Sequence, residues 1–207
     1  MIEPAALAQR LYRDSLFKDW KKQHSSSYLS HLFCRIDAKS LPKTPWELGF
    51  YDAKTERITV FIPLEKDDFQ IKPEDQVFKK EKEPVEELVL KANLLSIEEA
   101  IKISQSELPN YFPAETHGEG FLILQNLNQK TIWNFSFITK SLKFINLKIE
   151  AYTGKVLSSE DIKLVQGWGR KTCLSGAPEF EIIPIGFYTQ RNLSDTYASS
   201  KEGNQSF

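Results

Sequence analysis

The fold is decided by residues 45–62, PWELGFYDAKTERITVFI, and by residues 132–149, IWNFSFITKSLKFINLKI. In both stretches apolar and polar side chains alternate, as they do on a β-strand that buries one of its faces. The side chains expected to share the buried face are Trp46, Leu48 and Phe50 in the first stretch and Trp133, Phe135 and Phe137 in the second. Residues 52–55 and 139–141 have turn composition, so each stretch predicts a β-hairpin.

The two stretches align without gaps when the sequence is shifted by 87 residues, which places Trp46 on Trp133. The same shift places Ile58, Val60 and Ile62 on Ile145, Leu147 and Ile149, and it places Cys34 and Ile36 on Phe121 and Ile123. Because all these positions keep the period-2 pattern, the alignment predicts an internal duplication.

Each half also carries a helical pattern ahead of its strands. The first helix is predicted from Pro4 to about Lys22, and the second begins after Ser96, which has capping-box spacing to Glu99. We expect Pro109 to end the second helix. The strands are predicted over residues 32–36, 45–51, 56–62 and 69–71, and over residues 121–126, 131–138, 142–151 and 155–158.

The predicted fold class is therefore α+β, a tandem duplicated unit of one helix packed on a 3–4-stranded antiparallel sheet. The first unit would span residues 1–79 and the second residues 95–166, joined by a charged, solvated connector at 80–94. A Gly-rich extension at 167–189 carries an edge strand at 180–188, and residues 190–207 have the composition of a disordered tail. The outer face of the second sheet is expected to be solvated, with Lys143, Asn146, Lys148 and Glu150 on it.

The second unit contains the helix Ser96-Ile97-Glu98-Glu99-Ala100-Ile101-Lys102-Ile103, an aromatic residue at Trp133, and the motif Ile149-Glu150-Ala151-Tyr152-Thr153-Gly154-Lys155-Val156-Leu157. In these features residues 95–165 resemble the PepSY domain family. The resemblance implies a cystatin-like fold of one helix on a small antiparallel sheet. It also implies a regulatory or inhibitory module of secreted proteases, or an extracytoplasmic module, without shared catalytic residues. The first half resembles the family only as a diverged copy, since Lys66-Asp67-Asp68 replaces the turn glycine.

Composition excludes several classes of function. The 27 basic and 28 acidic residues give a formal net charge of −1, so nucleic acid is not an expected partner. No apolar stretch is long enough to span a bilayer, and the first residues lack the pattern of a signal peptide. The compartment is left unknown, although the PepSY family is often extracytoplasmic.

Candidate chemical groups are few. His31 and Cys34 could suggest a metal or thiol site, but residues three apart on a strand point to opposite faces. His117 is expected to be a surface loop residue, and whether Cys34 and Cys173 form a disulfide is left open. No dinucleotide, Walker, nucleophile-elbow or zincin motif occurs. We therefore predict no catalytic residues, no metal site and no cofactor.

The leading functional hypothesis is a non-catalytic binding or regulatory module for a peptide or protein partner, bound by strand addition at an open sheet edge. We expect the 180–188 strand to cover another edge. The alternative is a structural component of a larger assembly, which would be favoured by aromatic side chains on the outer face. Phe33, Phe61 and Phe144 lie in that outward phase. A hydrolase is the third reading.

Overall fold

The computed structural model describes residues 2–64, 68–76 and 84–163. Its helices are α1 (Pro4–Arg13), α2 (Ser15–Gln23) and α3 (Ile97–Tyr111). Its strands are β1 (Ser27–Ile36), β2 (Glu47–Asp52), β3 (Arg57–Pro63), β4 (Phe69–Gln76), β5 (His117–Leu127), β6 (Lys130–Thr139), β7 (Lys143–Glu150) and β8 (Val156–Lys163). Each predicted strand overlaps one of these, but β1 and β5 begin five and four residues earlier than predicted, and β4 and β8 each end five residues later. The predicted edge strand at 180–188, the rest of the 167–189 extension and the 190–207 tail lie outside the described residues.

The predicted first helix is divided into two. Asp14 adopts an extended backbone conformation between α1 and α2, and its carboxylate accepts hydrogen bonds from the amides of Leu16 and Phe17 at 2.8 and 3.3 Å. A carboxylate that caps the first turn of a helix stabilises a new start at that point. The sequence prediction of one continuous helix to Lys22 is therefore wrong at Asp14.

The start of α3 confirms the predicted capping box. The Ser96 hydroxyl accepts from the Glu99 amide, and the Glu99 carboxylate accepts from the Ser96 amide at 2.9 Å. The predicted end of this helix is wrong, because α3 continues past Pro109 to Tyr111. The Phe112 amide donates to the Leu108 carbonyl and closes the last turn, so the proline is accommodated within it.

The eight strands form one antiparallel sheet in the order β4-β3-β2-β1-β5-β6-β7-β8. Its centre is the ladder between β1 and β5, which runs from His31 opposite Gln125 to Ile36 opposite Gly120. This ladder corrects the predicted fold class. Two PepSY- or cystatin-like units would each have a separate 3–4-stranded sheet, whereas the protein is α+β with a single eight-stranded sheet.

The strand phases also overturn the predicted tandem repeat. The 87-residue alignment places Cys34 on Phe121, but Cys34 lies in the main core and Phe121 lies on the opposite face of the sheet. It likewise places Ile58, which is outside the main core, on Ile145, which is inside it. The phases of β2 and β6 agree with the alignment, as do Phe69 of β4 and Val156 of β8, which both pack in the main core.

The main core lies between the helices and one face of the sheet. Helices α1, α2 and α3 all contribute to it, together with side chains from strands of both halves. Trp46 and Trp133 are both buried there, as predicted, and their ring centroids lie 6.1 Å apart. Phe61 is also in the main core, against Phe17, so its predicted outward orientation is wrong. We call the opposite face of the sheet the second face.

The described part of the connector packs against the sheet. Val85 is buried with Tyr28 and Tyr51, whereas Leu88 is buried in the main core. The Leu88 amide donates to the Leu29 carbonyl at 2.7 Å. Residues 84–88 thus cross the sheet beside the start of the β1–β5 ladder, and the expectation of a freely solvated link does not hold for them.

We expect Trp46→Ala and Trp133→Ala each to lower the free energy of unfolding by roughly 3–5 kcal/mol, because each removes a large buried aromatic side chain. Urea denaturation measures the change. Leu142→Ala is the control, since Leu142 is 54% exposed and its loss should cost within about 0.5 kcal/mol. A small effect at either tryptophan would contradict the shared core.

Candidate functional site

The β8 edge is the candidate binding site. Strand β8 is the last in the sheet order, and its ladder with β7 runs from Lys163 opposite Lys143 to Val156 opposite Ile149. Within residues 2–64, 68–76 and 84–163, no strand pairs with its other side. Strand β4 is the other end of the sheet, but it contains Pro73, which cannot donate a ladder hydrogen bond. The β8 edge has no proline, so it offers a longer run of donors and acceptors.

A charged cluster lies beside this edge. The Lys143 ammonium is 2.8 Å from a Glu115 carboxylate oxygen and 2.9 Å from an Asp161 carboxylate oxygen. Hydrogen bonds to Glu115 and Asp161 raise the pKa of Lys143 above its usual range. The bond from Lys143, with one from Ser141, lowers the pKa of Glu115. Lys143 and Glu115 are therefore charged near neutral pH, and two carboxylates share one ammonium.

Polar side chains beside β8 form a hydrogen-bonded group on the second face, which we call the amide cluster: Asn134, Ser136 and Asn146. The Asn146 side-chain amide donates to Asn134 Oδ1 at 2.6 Å and to Ser136 Oγ at 2.9 Å. Next to the cluster, the buried Lys148 ammonium lies 3.2 Å from a Glu160 carboxylate oxygen. The prediction that Asn146 and Lys148 are solvated is wrong, since both side chains are buried.

Two buried polar atoms on the second face are left without a hydrogen-bond partner among the described residues. They are Asn146 Oδ1, an acceptor, and Gln125 Nε2, a donor. A buried polar group without a partner costs about 1–3 kcal/mol, so native proteins contain few of them. Burial of Asn146 Oδ1 and Gln125 Nε2 therefore lowers the stability of the fold at these two residues.

His31 lies at a β-bulge, where the register of β1 against β2 shifts between Leu29 and His31. Ser30 Oγ donates to the Gly49 carbonyl at 3.0 Å and lies 3.0 Å from His31 Nδ1. Because the hydroxyl has only one proton, Nδ1 must be the donor in the second bond. Gly49 is required beneath the ring, since a Cβ there would collide with it. Burial lowers the pKa of His31 to about 4.

This Ser–His pair lacks the arrangement of a catalytic nucleophile. Both Ser30 and His31 are buried, and the serine proton is directed to a backbone carbonyl instead of to the imidazole. A general base must accept the proton of its nucleophile. The pair instead serves the local structure of the bulge.

The other sequence candidates do not come together. Cys34 lies in the main core, so it points away from His31 as predicted, and burial raises the pKa of its thiol. His117 is half-buried, and its ring lies 4.9 Å from that of Phe137. Among the described residues, no group of three His, Cys, Asp or Glu side chains could hold a metal ion. Cys173 lies outside the described residues, so the question of its pairing with Cys34 stays open.

Aromatic side chains also occupy the second face. Phe33 and Phe144 lie there, as the sequence phase predicted, and both contact Phe121, with ring-centroid distances of 5.8 Å. With Ile123 they form a cluster made of strand residues only. No pattern in the sequence indicates the unpaired Gln125 amide or the sharing of Lys143 by Glu115 and Asp161, because both depend on the order of the strands.

Comparison with known proteins gives little. No protein-family model matches the chain, and no curated protein matches it. Among solved structures, the chain is similar to a putative lipoprotein from Clostridium difficile 630, with 14% sequence identity and a TM-score of 0.44 over 71% of this chain and 90% of that one. This similarity is too low to carry an argument. The PepSY assignment stays a prediction. None of the three described helices combines the length and the hydropathy of a membrane span.

Gln125→Met should raise the free energy of unfolding by roughly 1–3 kcal/mol, because it replaces an unpaired buried amide with an apolar group of similar shape. Asn134→Leu is the matched control. It removes the acceptor of the Asn146 amide and should destabilise the protein by about 1–3 kcal/mol. Both changes are measured by urea denaturation. A loss of stability in Gln125→Met would show that the amide has a partner.

Stability should also depend on pH through His31. The folded pKa of about 4 lies below the ordinary value of 6.5, so the unfolded chain binds the proton more tightly. The contribution of neutral His31 is complete above pH 6.5 and declines as the pH falls towards 4, by about 3 kcal/mol in total. Denaturation of the wild type and of His31→Asn across this range isolates the effect. Parallel curves for the two proteins would contradict it.

Proposed function

We propose that this protein is a non-catalytic binding module that takes up an extended peptide or protein segment by strand addition at the β8 edge. The observation that carries the proposal is the position of β8 at the end of the sheet, with a proline-free edge that no described strand occupies. A segment added there would satisfy backbone groups along β8, and its alternate side chains would face those of β8.

The energetics favour a moderate, reversible interaction. Each main-chain hydrogen bond contributes about 0.5–1.5 kcal/mol net. The segment also loses conformational entropy when it becomes a strand, at a cost of roughly 1–2 kcal/mol per residue. Side-chain contacts with β8 must therefore supply the remaining free energy and the selectivity.

The absence of catalysis is part of the proposal and rests on the state of the polar groups near the site. Glu115 and Asp161 are both held by Lys143, and Glu160 is paired with Lys148. The hydrogen bond from Lys143 lowers the pKa of Glu115, so this carboxylate is a poor proton donor. Nucleic acid is not a proposed partner, because the chain carries almost equal numbers of basic and acidic residues.

The second candidate function is a structural component of a larger assembly. The observation that favours it is that the sheet has two ends, β4 and β8, without a described neighbour. If β8 of one copy paired with β4 of the next, the contact would be heterologous and would generate a ring where the rotation closes and an open filament where it does not. Molar mass in solution separates the candidates, since a binding module stays monomeric over a range of concentrations and a filament subunit does not.

A pair of proline substitutions tests strand addition. Consecutive amides of a strand point to opposite sides, so of Ser158→Pro and Ser159→Pro one removes an outward donor and the other a donor to β7. The peptide is one selected by phage display on the full chain. We expect the variant that loses the outward donor to bind this peptide about tenfold more weakly, as for a lost hydrogen bond of about 1.4 kcal/mol. Its thermal stability should stay close to that of the wild type.

The second proline variant is the control, because loss of a ladder bond to β7 should lower its melting temperature. Binding is measured by isothermal titration calorimetry. Equal affinity for the selected peptide in the wild type and in both proline variants would remove strand addition at β8 from consideration.

A further inference from the structure

The second face is closed to solvent, although no described helix lies on it. Helices α1, α2 and α3 all pack in the main core, on the opposite face of the sheet. Yet Ile123 and Ser136, in the middle of the second face, are 0% exposed, and Lys148 is 4% exposed. An antiparallel sheet that is covered on one side only leaves the side chains of its other side in water. The burial therefore requires a cover over the second face between β1 and β7.

The buried side chains of this face form two rows across neighbouring strands. One row consists of Phe33, Ile123, Asn134 and Lys148, and the other consists of Phe121, Ser136 and Asn146. The rows join the amide cluster to an apolar group, which we call the aromatic cluster: Phe33, Phe121, Ile123 and Phe144. A cover over the aromatic cluster has to be apolar, because polar groups buried against it would lose their hydrogen bonds to water.

The cover belongs to the same chain. These side chains are buried in a single copy of the protein, whereas an apolar face that binds a separate partner is exposed before the partner arrives. Besides Met1, the residues outside the described ranges are 65–67, 77–83 and 164–207. All of 65–67 and five of the seven residues in 77–83 are charged. Charged side chains are rarely buried, so neither short stretch suits an aromatic cluster.

We propose that residues 180–188 pack across the second face and cover the aromatic cluster. Six of these nine residues have large apolar side chains: Phe180, Ile182, Ile183, Ile185, Phe187 and Tyr188. Only Glu181 is charged, and no other stretch of nine residues in 164–207 carries as many large apolar side chains. This position on the face of the sheet differs from the edge that the sequence pattern suggested for the same segment.

The length of the chain permits this position wherever β8 ends. Residues 164–179, sixteen in number, separate the last described residue from the segment, and they can span roughly 50 Å. Strand β5, which carries the middle of the aromatic cluster, is three strand spacings from β8, about 15 Å. A segment on the face leaves the outward backbone groups of β8 free. The inference therefore goes beyond the proposed function and does not depend on it.

Thiol protection in the full chain tests the cover. Ser136→Cys places a small thiol in the middle of the second face, and Cys173→Ser removes the thiol outside the described residues. In this background the new thiol and Cys34 should both react slowly with iodoacetamide, because both are buried. Adding Ile182→Asp and Ile185→Asp should speed alkylation of the new thiol by roughly tenfold or more, since the charges release the segment locally.

Cys34 reports on the main core in the same sample, and mass spectrometry of the digested protein separates the two thiols. Its alkylation should stay slow in the double aspartate variant. Leu193→Asp is the matched control, because it adds a charge in 164–207 outside the segment, and it should leave the new thiol protected. If the new thiol stays protected in the double aspartate variant, or if Leu193→Asp exposes it equally, the proposal is overturned.

Photo-cross-linking decides the position without an added charge, even if the double aspartate variant opens the main core. Benzoylphenylalanine in place of Phe187 should form links within one molecule to second-face residues between 121 and 148. The same group in place of Tyr12, an exposed residue of α1, should form no link to 180–188. Links from position 187 to β8 alone would place the segment on the edge, and links between two copies would make a second copy the cover. Either result overturns the proposal.

Discussion

The rest of the structure depends on the backbone ladder between β1 and β5. Six residue pairs join the two strands, from His31 opposite Gln125 to Ile36 opposite Gly120. Without this ladder each half would expose an unpaired strand edge at its centre. With it, the three helices cover one continuous face, and Trp46 and Trp133 pack against each other in a single core. The same pairing sends β4 and β8 to opposite ends of the sheet, which places the candidate site at β8.

Much of the local structure could be predicted from the sequence. Periodicity located the strands, Ser96 and Glu99 fixed the start of α3, and the burial of both tryptophans followed from their phase. Local signals of this kind depend on neighbours in sequence. The joining of the halves could not be predicted in this way, because a period-2 pattern specifies which side chains face the core and leaves open which strand edges pair. The resemblance to a small one-helix fold therefore led to two sheets where the protein has one.

The candidate site was predictable in part. An open edge suited to strand addition follows from a meander pattern, but its position at β8 requires the strand order. The burial of Asn146 and Lys148 was not predicted. The alternation of apolar and polar residues places both side chains outside the main core and says nothing about their burial on the second face. The partner of Lys148 is on the next strand, and the unpaired Gln125 amide lies beside the central ladder. Such relations are set by register between strands, so no single stretch of sequence contains them.

The two hairpin loops that join β2 to β3 and β6 to β7 differ by one residue, since residues 53–56 form the first and residues 140–142 the second. Leu48 consequently lies opposite Phe61, whereas Phe135 lies opposite Leu147, one position earlier in the aligned sequence. A change of one residue in the loop thus shifts the register and turns every side chain of the following strand to the opposite face of the sheet. If either hairpin loop gained or lost one residue, the apolar positions of the following strand would have to change to keep the same face buried. Insertions in this loop should therefore be accepted in pairs more readily than singly.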